Sequence, residues 1–209
     1  KEIAELVKQE KSLIPELELH DVTAQDAADL LAYLTTLTEG TQSAGSFRVL
    51  GPFDSGQRNL DAATDAEKSV ANPDLTAEYT GLGGNKLRWE VVVADNAAGF
   101  PAIDSVKYDQ SHGVRGTSVS HYFLVYAESA SDQEVGLLIG SDDGCKVWVN
   151  GEEVHKNATT RALSFGQDRV RAKLKSGRNA VVIKVLNGDG PGGVCLGITS
   201  SGLVQLNTE

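Results

Sequence analysis

Residues 140–151 read Gly-Ser-Asp-Asp-Gly-Cys-Lys-Val-Trp-Val-Asn-Gly, and this stretch decides the fold. Ser141-Asp142-Asp143-Gly144 is a tight acidic turn, Cys145 to Val149 alternates, and Asn150-Gly151 ends the run. An Asn-Gly pair between alternating apolar segments is the strongest short-range hairpin signal, because both central residues of a type I′ turn need positive φ. Two adjacent carboxylates on the loop beside that hairpin are hard oxygen donors of the kind calcium takes. The stretch points to a β-sandwich carrying a loop site, more like a binding module than an enzyme.

The same pattern extends on both sides. Val119 to Glu128 is apolar on both faces, as a central buried strand is, and Val135 to Ile139 leads into the acidic turn. Glu152 to Val154 closes the hairpin. Arg169 to Leu174 alternates cleanly, with Val170, Ala172 and Leu174 inward and Arg169, Arg171 and Lys173 outward. Ala180 to Leu186 and Val194 to Ile198 follow, separated by the Gly-rich loop 187–193. Upstream, Phe47 to Leu50 is a short strand ended by Gly51-Pro52, and residues 86–94 alternate with Leu87, Trp89, Val91 and Val93 on one face. Residues 54–80 read as a long polar loop with a helical turn near 63–68, and 95–118 as a second loop. Many short strands with Gly-rich turns predict an all-β fold, an antiparallel β-sandwich of jelly-roll type.

The first residues differ in period. Ile3, Leu6 and Val7 have helical spacing, Pro15 interrupts, and Thr23 with Asp26 resembles a capping box. Leu30, Leu31, Leu34 and Leu37 then stripe a second helix over about 24–37. The expected organisation is a helical segment at 1–38, a small polar linker at 39–46 and the sandwich at 47–209.

Composition narrows the partners. Nineteen Lys and Arg against 29 Asp and Glu leave a formal charge of −10, which disfavours nucleic acid and anionic membrane surfaces. Neutral glycans, cations and basic proteins fit better. No apolar run approaches the roughly 18 residues of a membrane span. The chain begins at Lys1 and contains no Met, which reads as an excised piece of something longer. Cys145 and Cys195 lie in strand-like runs and form no CxxC, so two readings stay open, buried thiols or one disulfide between strands.

Residues 47–200 resemble jelly-roll modules of large secreted or periplasmic proteins of planctomycete and verrucomicrobial bacteria. The matching residues are Gly51-Pro52-Phe53, Leu87-Arg88-Trp89, Ser141-Asp142-Asp143-Gly144, Val147 to Gly151, Leu174 to Asn179 and Val182 to Val185. The Ser-Asp-Asp-Gly and aromatic-strand pattern is also similar to protective-antigen-like domains and to the sugar-binding domains of glycoside hydrolases. In adhesins of that group two neighbouring Asp hold calcium, which holds sugar hydroxyls; Asp142 and Asp143 stand at the matching positions. The resemblance implies a non-catalytic carbohydrate-binding module beside other domains of a periplasmic or extracellular parent, with a polysaccharide or oligosaccharide as partner. Residues 12–16 and 23–37 resemble the end of a c-type cytochrome domain, but Ile14 stands where that family has its axial Met, so no haem is expected here.

Calcium takes six to eight oxygens, so two carboxylates do not suffice. Asn187, Asp189 and glycine carbonyls of the loop 187–193 are the candidates to complete a shell. Against this stands the reading in which Asp142 and Asp143 only build a tight turn. Trp148, Tyr108 and His112 are the further ligand candidates, Trp148 as a stacking platform or else buried. The four His, His20, His112, His121 and His155, form no HExxH, and no GxSxG, P-loop or GxGxxG occurs. Two alternatives to sugar binding are a structural or protein-interaction module and a glycan-active enzyme using loop carboxylates.

Overall fold

The computed structural model describes residues 40–114 and 117–209, with Thr23 and Gln25 besides. The two helices read at the N-terminus, and the cytochrome-like resemblance they carry, lie outside the described residues.

Two antiparallel sheets face each other. The first contains β1 (Gln42–Ser43), β6 (Ile103–Asp104), β8 (Gln133–Asp142), β11 (Asp168–Leu174) and β13 (Gly193–Ser200), ordered β1-β13-β8-β11 with β6 also on β13. The second contains β2 (Ser46–Asp54), β5 (Glu90–Val93), β7 (Val119–Ser129), β9 (Cys145–Val149), β10 (Glu152–Asn157), β12 (Gly177–Asn187) and β14 (Val204–Asn207). Its order is β10-β9-β12-β7-β2-β5, with β14 on β7. A small ribbon joins β3 (Tyr79–Thr80) to β4 (Lys86–Leu87). From β7 onward most connections cross from one sheet to the other, as in a jelly roll.

Period-2 alternation fills the space between the sheets. Phe47, Phe123, Val125, Val147, Val181 and Ile183 from one sheet meet Leu137, Ile139, Leu174, Leu196 and Ile198 from the other. Ala172 and Leu174 are buried while Arg169, Arg171 and Lys173 are exposed, the alternation read from the sequence. Asn150 and Gly151 take φ of 50° and 86°, the left-handed pair the hairpin requires.

β7 and β12 are buried on both faces because the second sheet carries an outer layer. Leu50, Tyr122, Leu124, Tyr126, Trp148 and Val182 pack there under Ala66, Val70, Tyr79 and Trp89. The segment read as a polar loop at 54–80 is thus a cover. Lys184 pins it, with Nζ fully buried and donating to Leu60 O, Ala62 O and Glu67 Oε1 at 3.1, 2.6 and 2.7 Å.

Four local readings change. The strand at Phe47 continues through Gly51-Pro52 to Asp54, because a register shift between Leu50 and Phe53 accommodates the proline. In the small polar run at 39–46, Gln42–Ser43 pair with β13 and Ala44 is buried, so the run contributes an edge strand. The loop at 95–118 contains β6 and a helix, α1 (Ser105–Ser111), whose N-cap Asp104 accepts from Lys107 N. Val91 and Val93 on the edge strand β5 are 52% and 76% exposed, since the outer cover ends at Trp89 just before it. Cys145 and Cys195 are buried free thiols, and burial pushes both pKa values up to about 11.

Candidate functional site

The acidic turn joins β8 to β9 at one end of the sandwich. Asp142 and Asp143 are 8% and 7% exposed, and the peptide bond between them is cis. Ser141 Oγ donates to Asp143 O at 2.7 Å, and Asp143 N donates to Leu186 O at 2.7 Å. Leu186 N donates to Gly144 O, so the turn is laced to the end of β12. Ser141 and the end of β12 thus hold the backbone of the turn, and the two Asp side chains diverge in their use.

Asp143 is committed internally. Its Oδ2 accepts from Arg58 Nη2 at 2.7 Å and from Gly188 N at 3.1 Å, and its Oδ1 accepts from Arg161 N at 3.1 Å. A β-carbon at Gly188 would lie 2.5 Å from Arg58 Nη2, so the guanidinium occupies the space that a side chain there would take. Asp142 differs. Burial, then the charge of Asp143, push its pKa up, with the Leu163 N–H working the other way. It lines a cavity of about 140 Å³ with Asp95, Asp104, Leu163 and Gly192. Lys107 stands at the same cavity, paired to Asp95 at 3.4 Å and Asp104 at 3.6 Å.

The loop 187–193 returns beside Asp142. Gly193 pairs with Asp142 on one side and with Asp104 on the other. Ser105 N donates to Gly192 O and Ser118 N to Gly188 O, which fixes both ends of the loop. Asn187 is 2% exposed and its Oδ1 has no hydrogen-bond partner; Ser105 Oγ, 1% exposed, has none either. A β-carbon at Gly192 would lie 2.6 Å from both Asn187 Nδ2 and Ser105 Oγ, so the two side chains converge on one point. Buried oxygens without partners call for a ligand, water or ion.

The carboxylates at the Asp142 cavity fit a hard cation. Asp142 shares its cavity with the carboxylates of Asp95 and Asp104, oxygen donors of the kind calcium takes, whereas Asn187 and Ser105 meet at Gly192 and do not line that cavity. Asp143 fits less well as a ligand, because three donors already use its oxygens and one of them is a guanidinium.

The remaining sequence candidates separate. Asp189 is exposed and lines a different hollow with Gln110 and Thr117. Tyr108 and His112 stack at 4.4 Å on and just after α1, where His112 Nε2 meets Glu90 Oε2 at 3.0 Å. Hollows of about 280 and 220 Å³ flank this pair. The Tyr108 backbone carbonyl, then Glu90, hold the His112 pKa up against its partial burial. Trp148 is 6% exposed beneath the outer cover, with Lys146 Nζ 5.2 Å from its ring, so the stacking-platform reading is corrected to burial. His121 is buried against Asp109 at 2.7 Å, a structural partnership. Sequence reasoning missed Arg58 and Arg161, which reach the turn from distant parts of the chain, and Ser105, which meets the loop at Gly192; none belongs to a local motif.

No family model matches the chain, and no curated protein matches it. Among solved structures it is similar to an anti-sigma factor domain-containing protein at 13% identity and a TM-score of 0.45, over 80% of this chain and 49% of that one. It is also similar to the PA14 domain of the antifreeze protein MpAFP, at 11% identity and a TM-score of 0.40, over 80% of this chain and 88% of that one. A Ruminococcus gnavus beta-glucuronidase gives 13% identity and a TM-score of 0.39, over 77% of this chain and 29% of that one. The chain thus spans 49% of the first of these proteins' length and 29% of the last.

Proposed function

We propose that this chain is a non-catalytic carbohydrate-binding module. It takes glycan hydroxyls at the end of the sandwich formed by the acidic turn and the loop 187–193, through a calcium ion held by Asp142. The observation that carries the reading is the Asp142 carboxylate, whose charge is disfavoured by burial and by Asp143, in a cavity it lines with the further carboxylates of Asp95 and Asp104. A divalent cation there supplies the charge that burial and Asp143 withhold from the Asp142 carboxylate. The resemblance of residues 141–151 to protective-antigen-like sugar-binding domains points the same way. Asp143 acts as the frame, holding Arg58, the Arg161 backbone and Gly188 in register. The parent protein's compartment, periplasmic or extracellular, and its neighbouring domains belong to this proposal.

A broad glycan array probed in calcium and in EDTA tests it. Saturable binding that EDTA removes and that Asp142→Asn abolishes is expected. Binding of equal strength in EDTA overturns the calcium part. Absence of binding to any glycan favours the structural or protein-interaction alternative, and product release from a glycan favours the enzymatic one.

A further inference from the structure

A second group of metal-ligating side chains lies apart from the oxygen site. Cys145 opens β9, His155 lies on β10, and Asp168 opens β11 on the opposite sheet. A register shift between Glu153 and His155 re-aims the end of β10, as bulges do. Cys145 Sγ and one ligand atom each of His155 and Asp168 all lie within 4.8 Å of one another. His155 Nε2 is buried and has no hydrogen-bond partner, although Asp168 Oδ2 is 3.2 Å away. The side chains of His155 and Asp168 are 21% and 10% exposed, so the group has an opening to solvent while the thiol is shielded.

We propose that Cys145 Sγ, His155 Nε2 and Asp168 Oδ2 form a site for a zinc-class divalent ion. Sulfur, imidazole and carboxylate are the donor set of four-coordinate zinc, at about 2.0–2.3 Å each, and are foreign to calcium. Ligand atoms already gathered within 4.8 Å need only small side-chain shifts to reach those lengths. Binding replaces the thiol proton by the metal and releases that proton to solvent. Thiolate and carboxylate together then balance the charge of the ion, and one coordination position is left for water. Asn157 Nδ2, donating to Asp168 Oδ1 at 3.0 Å, orients the carboxylate from outside. Arg161 is the built-in competitor. Its Nη2 pairs with Asp168 Oδ2 and stands 3.9 Å from Cys145 Sγ, so a cation already sits against two of the ligand atoms. The same Nη2 also donates to Ser141 Oγ at 2.8 Å and Nε donates to Ser141 O at 3.2 Å, so metal entry must displace a guanidinium that is held in place.

The test is a cobalt(II) titration of the whole 209-residue chain under reducing conditions, followed by zinc displacement. One equivalent is expected, with a near-ultraviolet thiolate-to-cobalt band and the visible bands of a four-coordinate ion. Cys145→Ser removes the near-ultraviolet band and Cys195→Ser keeps it. His155→Ala, at a partly exposed position, weakens binding by about tenfold or more, since even an outer partner is worth that much. Arg161→Gln tightens binding, a gain that loss of a purely structural contact does not produce. Asp142→Asn leaves the titration unchanged, which separates this site from the oxygen site. Absence of the thiolate band in both the wild-type chain and Arg161→Gln overturns the proposal. So does a band that survives Cys145→Ser, or unaltered affinity in His155→Ala.

Discussion

Arg58 Nη2 sits 2.7 Å from Asp143 Oδ2, across 85 residues of sequence, and this pair divides the work of the acidic turn. The guanidinium spends Asp143 on holding the cover segment and the loop 187–193 together. Asp142, one residue away, has no such cation on its carboxylate and carries a pKa raised by burial and by Asp143.

The two aspartates therefore respond oppositely to neutralisation. Asp143→Asn removes the partner of Arg58 and weakens the bond to Gly188 N, at a cost of about 1–3 kcal/mol in urea unfolding. Asp142→Asn removes a disfavoured charge and leaves stability in EDTA unchanged or higher, while eliminating stabilisation by calcium. Equal destabilisation by both substitutions contradicts this division.

Calcium stabilisation should itself depend on pH in a defined direction. The raised pKa of Asp142 means that its ionised form costs stability above the ordinary carboxylate range. Acid relieves that cost by protonation, and calcium relieves it by charge. The gain in melting temperature on adding calcium is accordingly largest near neutral pH and shrinks as pH falls through the raised value. Differential scanning fluorimetry across pH 4 to 7 measures it.

Asp168 behaves in the reverse sense. Burial opposes its ionisation, but hydrogen bonds from Arg161 and Asn157 and the charge of Arg161 outweigh it and hold the pKa at about 2, below the ordinary value of 3.8. Between those values the unfolded state binds more protons, so stability rises with pH through this window and is lost as pH falls to about 2. The loss is about 2 kcal/mol. In metal-free protein, Asp168→Asn flattens the stability profile between pH 4 and 2, measured by denaturant unfolding at each pH.

Lys184 gives the outer layer its own test. Lys184→Ala leaves Glu67 and two carbonyls without their buried cation and costs about 3–5 kcal/mol. Lys184→Met combined with Glu67→Gln recovers part of that loss, because neither charge is then stranded. Limited proteolysis is expected to cut first within residues 55–85 in the single variant. Resistance there equal to wild type contradicts a pinned cover.

Legibility followed sequence distance. The Asn150-Gly151 hairpin and the alternation of Val170, Ala172 and Leu174 were readable because turn chemistry and period are local. The outer layer was not, since Ala66, Val70, Tyr79 and Trp89 have no common period and only their packing on Tyr122 and Trp148 makes them a face. The sequence leaves Trp148 open to stacking or burial, and that cover decides it. At the site, Asp142 and Asn187 were named from the sequence. Arg58, Ser105 and the Cys145–His155–Asp168 group were not, because each is assembled from separated elements.

The central claim is that Asp142, in the cavity it lines with Asp95 and Asp104, holds calcium for a glycan. Isothermal titration of calcium into the wild-type chain and into Asp142→Asn tests it most directly. The account predicts a single saturable site in the wild type and none in the variant, with both proteins folded by circular dichroism. No calcium binding in the wild type, or the same isotherm in the variant, contradicts it.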